Sequence, residues 1–321
     1  SIQKVDRYSK EVLFYIEIKL AIHKFMIKCK ANNLRPKTLD SYLYHLKAFL
    51  VDMDTKGLHF IHEVTLDTLT DYIANIDRHL STVTIRGRYI VLKLFFSYLY
   101  TTGIIENNLF TTLKAPKVSK RIIYAFSAVE IQEILNCFDK SSYIGFRNYT
   151  IMAVLFSTGI RKSELLQLRL SDILANNDAV KVIGKGDKER IIPISPALQR
   201  ILQAYLKKRK EYQQSLNVSI PCWSLWVSRR GSALTTSGLN MIFKQLKLSK
   251  KSWSTRVSAH TWRHTFAKLY LLNGGDIFTL QKVLGHEDIT TTRLYLDMNI
   301  TELKQQNDKF NPLDNTRWQY Y

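Results

Sequence analysis

The 321-residue sequence is poor in cysteine, with only Cys29, Cys137 and Cys222, far apart and without a CxxC pair. That spacing argues against a disulfide framework or a cysteine-based zinc site, and it fits a reducing cytoplasm. No run of about 18 apolar residues occurs, and the opening stretch SIQKVDRYSKEV lacks the apolar centre of a secretion signal. The expectation is a soluble cytoplasmic protein with no membrane partner. Because the chain opens on Ser1 rather than Met, there is room for a further segment before it. Acidic residues are also scarce, 27 Asp and Glu against 47 Lys and Arg, for a formal net charge of +20. Basic residues outnumber acidic ones by 18 to 11 in 1–120 and by 29 to 16 in 121–321. With no long Lys/Arg tail, this charge belongs to folded surfaces that attract a polyanion, and both halves carry it.

The length exceeds what one core usually holds, so two domains are expected. Residues 9–112 read as helical. In the first segment, Val12, Tyr15, Ile16, Leu20, Ile22 and Met26 form a broad stripe that Asn32 and Asn33 stop. A second helix starts at Pro36 with Leu39, Tyr42, Leu43, Leu46, Phe49 and Leu50 on one face. Thr65 introduces a third over Leu66–Ile76, and a fourth carries Ile85, Tyr89, Leu92, Phe95, Phe96 and Leu99 before Gly103 closes it. The stretch Asn107–Arg121 holds Pro116 and four basic residues without an apolar period, which marks the boundary. The division expected is a helical domain over 1–112, a basic linker over 113–125, and a second domain over 126–321 with an interaction tail over 300–321.

Beyond Phe126 the pattern is mixed. Helices are expected at Ala128–Phe138 and Arg147–Phe156, and Gly159 permits a sharp turn that delivers Arg161 ahead of a helix at Ser163–Leu168. Ala179–Ile183 and Arg190–Ile194 read as strands around Gly184-Lys185-Gly186-Asp187, which puts Lys185 at a hairpin tip. Ser195 caps a helix whose first position is Pro196 and whose inner face holds Leu198, Ile201, Leu202, Tyr205 and Leu206. Ser258 caps another, on which His260 and Arg263 share a face while Trp262, Phe266 and Leu269 turn inward. After Gly274 and Gly275 a short helix runs from Asp276 to Leu284; Gly285 then places His286 at a turn, and Tyr295 falls on a helix that begins near Asp288. The fold class is mainly α with a small β-sheet.

The informative feature is the ordered set Arg161, Lys185, His260, Arg263, His286 and Tyr295. Two arginines, a lysine and two histidines can surround one phosphodiester, and a tyrosine can attack it. Arginine forks suit the charge that builds on nonbridging oxygens during cleavage. Each member alone has an ordinary alternative, such as a surface charge for the arginines or core packing for one of 17 tyrosines. His260 and His264 stand four apart, but no nearby Cys, Asp or Glu completes a metal site. The GKG around Lys185 lacks the eight-residue P-loop pattern, which argues against nucleotide hydrolysis.

These residues resemble the tyrosine recombinases, the phage-integrase and Xer-like family, over about residues 10–300. The resemblance rests on the Arg161-to-Lys185 interval, the His-x-x-Arg at His260 and Arg263, the LGH ending at His286, and Tyr295 nine residues later. TLDSYLYHLKAFL and LKLFFSYLY resemble the family's helical core-binding, SAM-like domain. It implies a C-shaped clamp on double-stranded DNA, closed by a mixed α/β catalytic domain. It further implies that Tyr295 forms a 3′-phosphotyrosine, Lys185 protonates the departing 5′-oxygen, His260 accepts the tyrosine proton and His286 donates to phosphate. Glu164 resembles the supporting carboxylate; its ordinary alternative is an exposed helix charge. Arg35, Lys37, Arg86, Arg88, Lys114, Lys117, Lys120 and Arg121 are the candidate DNA contacts. The implied assembly is a homotetramer on two DNA sites, passing through a Holliday junction in the nucleoid, with no metal or cofactor and with room for accessory DNA-binding factors. A type IB topoisomerase and a non-catalytic site-specific DNA-binding protein are the alternatives.

Overall fold

The structure is a computed structural model. It describes residues 16–76, 80–115, 124–174, 178–216, 222–249, 253, 256–286 and the positions 288, 289, 292, 302, 304 and 309, with the Lys185 side chain excepted. The chain divides into two compact units, Ser1–Arg121 and Ile122–Tyr321. Among the described residues, no helix is long and apolar enough to cross a membrane.

Among the described residues the main elements of the first unit are helices: α1 (Ile18–Ala31), α2 (Pro36–Thr55), α3 (Leu66–Ala74) and α4 (Thr82–Thr101). Pro36 stands at the start of α2, and the Thr65 and Ser81 hydroxyls accept from the backbone N–H of Thr68 and Thr84, satisfying donors that the first turns of α3 and α4 leave open. The inner face of α1 is Ile18, Ala21, Ile22, Phe25 and Cys29. The expected stripe is thus corrected at Leu20, which is exposed because two residues from Ile18 is more than half a turn away. Val12 and Tyr15 lie outside the described residues. Phe25 meets Phe95 edge-on, and Phe49 meets Phe96 in the same way, which joins α1, α2 and α4 into one core.

The second unit is built around α6. Its elements are α5 (Ala128–Asn136), α6 (Tyr143–Thr158), α7 (Lys162–Gln167), β1 (Ala179–Ile183), β2 (Glu189–Pro193), α8 (Pro196–Ser215), α9 (Thr236–Ser249), α10 (Ala259–Leu272) and α11 (Ile277–Leu284). Helix α6 begins a turn earlier than its apolar pattern suggests, because Ser142 rather than a residue nearer Arg147 caps it. Helices α8 and α10 pack against it. The two strands are antiparallel, with Val182 opposite Arg190, and Val180, Val182 and Ile192 turn inward. Helix α9 has no counterpart in the sequence expectations, although Leu239, Ile242, Phe243 and Leu246 stand at helical spacing and are buried. The segment around Leu225 is held from beneath: buried Arg209 donates through Nε to the Leu225 carbonyl, and the Trp226 indole donates to the Leu165 carbonyl. That second bond fixes α7, the carrier of Glu164.

Candidate active site

Three turns bring remote residues together. Helix α6 ends at Gly159, whose φ of 60° is left-handed; a side chain there would come within 2.4 Å of Phe266. The turn sets Arg161 just before α7 and Glu164 one turn inside it. Ser258 caps α10, which carries His260 and Arg263. Helix α11 closes at Gly285, again left-handed with φ of 65°, and His286 follows.

Glu164 is buried, not the exposed helix charge of the ordinary reading. Its Oε2 accepts the Arg161 backbone N–H at 2.8 Å and its Oε1 the Arg161 Nη1 at 2.9 Å. Arg190 donates to both oxygens, Nη1 to Oε1 at 3.0 Å and Nη2 to Oε2 at 2.8 Å. Burial alone would raise the carboxyl pKa, but the Arg190 and Arg161 hydrogen bonds outweigh it and hold the group down at about 2. Glu164 is therefore an anion shared by two guanidinium groups.

Arg263 is buried and spends its donors on the turns. Nη1 donates to the Gly159 carbonyl and Nη2 to the Leu284 carbonyl, each at 2.8 Å, and Nη2 also lies 2.7 Å from Nε2 of His286. The neighbouring Gly285 carbonyl accepts Arg161 Nη2 at 3.2 Å, and the Val283 carbonyl accepts Arg190 Nε at 2.9 Å. Three consecutive carbonyls at the end of α11, left without partners by the helix, thus each receive a different arginine. Burial, with Arg263 and Arg161 behind it, pushes the His286 pKa down to about 4, so the ring is neutral near pH 7. Its other nitrogen, Nδ1, meets the buried Thr292 hydroxyl at 2.8 Å.

His260 is exposed at the start of α10, whereas Arg263 is buried, so the two expected to share a face differ in depth. The His260 ring stands 4.1 Å from that of His264, at 72° to it. Burial, His260 and Arg263 together push the His264 pKa down to about 4. Among the described residues, no group of three or more His, Cys, Asp or Glu is placed to hold a metal ion. Lys185 opens a 3-10 turn between the strands, entered through Gly184, whose N–H donates to the Lys188 carbonyl at 2.8 Å. The Lys185 side chain and Tyr295 lie outside the described residues. The structure therefore brings together Arg161, Glu164, Arg263 and His286, and it adds Arg190 and Thr292, which sequence reasoning missed. Arg190 had a legible signal: on a strand it shares the inward side with Ile192, and a buried arginine calls for a buried anion.

Of the candidate DNA contacts, Arg35, Lys37, Arg86 and Lys114 are exposed. Arg88 is half-buried, its Nε enclosed without a hydrogen-bond partner, beside Tyr72 and His45. Lys117, Lys120 and Arg121 lie outside the described residues.

Residues 125–302 match the model of the phage integrase family, and residues 25–103 match the phage integrase N-terminal SAM-like domain. The chain belongs to the phage integrase family. Membership carries the chemistry of a tyrosine recombinase, site-specific cleavage and rejoining of DNA. Among its relatives, tyrosine recombinase XerD of Listeria monocytogenes is 29% identical over 288 residues, covering 87% of this chain and 94% of that protein. Tyrosine recombinase XerC of Bacillus pumilus is 28% identical over 274 residues, covering 85% and 90%. Among solved structures, XerH bound to its palindromic difH substrate after cleavage is 23% identical, with a TM-score of 0.70 over 87% of this chain and 81% of that one. The Tn1549 transposon integrase with a circular intermediate DNA is 18% identical, with a TM-score of 0.73 over 92% and 99%. These two establish the fold: a SAM-like unit followed by a mixed, mainly helical catalytic unit.

Proposed function

We propose that Arg161, Lys185, His260, Arg263, His286 and Tyr295 form one strand-transfer site. The observation that carries this reading is that Arg161, just before α7, and Arg263, on α10, bond the adjacent carbonyls of Gly285 and Leu284, at the turn where His286 begins. Both guanidinium groups thus reach the same turn, and Arg161 is partly open to solvent at 38% side-chain exposure. A phosphodiester set against them has its nonbridging oxygens neutralised as charge builds in the transition state. Tyr295 attacks phosphorus, forming the O–P bond of a 3′-phosphotyrosine as the 5′-oxygen leaves. Lys185 supplies the proton that this oxygen needs, and His260 takes the proton that Tyr295 gives up. Attack by another strand's 5′-hydroxyl reverses the step without an external energy source.

Double-stranded DNA carrying paired core sites is the substrate. The exposed basic residues of the first unit, Arg35, Lys37, Arg86 and Lys114, hold its phosphates, and a basic linker over 113–125 follows the backbone between a domain over 1–112 and a catalytic domain over 126–321. Two rounds of exchange call for four copies on two duplexes and a Holliday junction, in the nucleoid of the cytoplasm, with accessory factors where the DNA site needs them. The tail over 300–321 links the copies. Its described contacts are within the chain, Glu302 to Lys268 at 2.6 Å and Lys309 Nζ to the Asn273 carbonyl at 3.0 Å.

Plasmids bearing the DNA that flanks the gene test this reading. Recombinant products, with protein attached to a 3′ end in trapped intermediates and with chelator present, are the expected result. Relaxation of plasmids that lack the site, without exchange, would favour the topoisomerase alternative; binding without any cleavage would favour the non-catalytic one. Neither alternative is supported by the relatives, which are recombinases.

A further inference from the structure

Arg190 has no role in the chemistry above, yet it is the side chain that connects most of its parts. It stands on β2, the strand that leaves the Lys185 turn, and its side chain is only 14% exposed. The guanidinium grips Glu164 with two parallel bonds and donates through Nε to the Val283 carbonyl, so a single planar group joins the hairpin to α7 and to the last turn of α11. Gly184, the residue before Lys185, packs on this pair: a side chain there would meet Arg190 Nη1 at 3.5 Å and Glu164 Oε1 at 3.8 Å. Gly285 packs on the Arg190 guanidinium, where a side chain would lie 3.0 Å from Nη1. The chain thus enters Lys185 over the Arg190–Glu164 pair, while the His286 turn is seated against it.

A two-stranded hairpin has little of its own to hold its tip at a fixed distance from a reaction centre. Beyond the pairing of its strands, it needs an anchor near the tip, and the contacts above supply one. We propose that Arg190 is a positioning residue for the proton donor: by tying β2 to Glu164 and to the end of α11, it sets where Gly184 delivers Lys185 relative to Arg161 and His286. The proposal rests on the reading of Lys185 as the general acid. Arginine is required because three bonds in one plane, two to a carboxylate and one to a carbonyl, match its fork; a lysine at the same place keeps the charge but makes a single-point contact.

The test compares single-turnover cleavage of a nicked duplex carrying the recombination site with cleavage of the same duplex holding a 5′-bridging phosphorothioate, whose sulfur leaves without a proton. Arg190→Lys, which keeps a cation beside Glu164, and Arg190→Gln are measured beside Lys185→Ala, together with DNA affinity. Both Arg190 variants should cleave ordinary DNA about 10²-fold more slowly, the lower end of what general acid catalysis contributes, and recover to within about 3-fold of the unmodified protein on the phosphorothioate. Equal slowing on both substrates while Lys185→Ala recovers would overturn the assignment of Arg190 and leave Lys185 as the acid. Unchanged rates for Arg190→Lys on both would overturn it too. If Lys185→Ala does not recover, the general-acid reading fails and the proposal fails with it.

Discussion

Arg263 and His286 share a hydrogen bond, Nη2 of the arginine lying 2.7 Å from Nε2 of the histidine. A guanidinium can only donate, so Nε2 accepts, and the ring proton is on Nδ1, toward the Thr292 hydroxyl. This revises the simplest expectation for His286. To donate to a phosphate oxygen through Nε2, the ring must first take up a proton, and the charge of an arriving phosphodiester favours that uptake.

In the DNA-free protein, His286 should accordingly be neutral, protonated on Nδ1, and titrate near 4, the value to which burial and the arginines bring it. Nitrogen-15 spectra of the labelled imidazole ring report both the tautomer and the midpoint. Adding DNA should move the midpoint upward. A proton on Nε2 in the free protein, or a midpoint above about 6, near the value of an unperturbed histidine, would contradict the geometry.

Stability should fall as the pH is lowered, in two windows. His264 and His286 have pKa values near 4 in the folded protein against an ordinary 6.5, so between these values the unfolded chain binds more protons and acid favours unfolding. Glu164 adds a second window, from its ordinary 4.5 down to about 2, a difference that corresponds to roughly 3 kcal/mol. Urea titrations across pH should show that Glu164→Gln is less stable at pH 7 and that its loss of stability below about 4.5 is smaller than that of the unmodified protein. An unchanged acid limb would mean that the Arg161 and Arg190 contacts contribute little.

Deleting residues 301–321 should leave one-site DNA binding largely intact while reducing synapsis and strand exchange. The apolar tail positions Leu303, Phe310, Leu313 and Trp318 would gain roughly 1.5–3 kcal/mol each from burial, enough to link copies of the chain. Gel-shift and exchange assays on the truncated protein check this. Full-rate exchange by the truncated protein would reduce the tail to packing on its own chain.

What the sequence revealed and what it concealed follow from range. Caps and turns are local, and Thr65, Gly159, Ser195, Pro196, Ser258 and Gly285 act in the structure as their residue types suggest. The order of Arg161, Arg263 and His286 is legible because Arg161 and His286 each follow a turn glycine and Arg263 lies on the helix that Ser258 caps. Long-range partners are not. That Glu164 is buried between two guanidinium groups depends on Arg190 arriving from strand β2, and the seating of Arg263 depends on carbonyls of two distant turns. Helix α9 was missed for a different reason: its apolar spacing was present, but Thr236 opens it after a stretch of Ser, Arg and Gly with no strong stop signal at the far end.

The central claim, covalent strand transfer by Tyr295, is tested most directly by comparing the unmodified protein with Tyr295→Phe on a nicked suicide substrate run on a denaturing gel. The account predicts a covalent protein–DNA adduct for the unmodified protein and none for Tyr295→Phe, with duplex affinity nearly unchanged. An adduct that persists in Tyr295→Phe would contradict it and would assign the nucleophile to another residue.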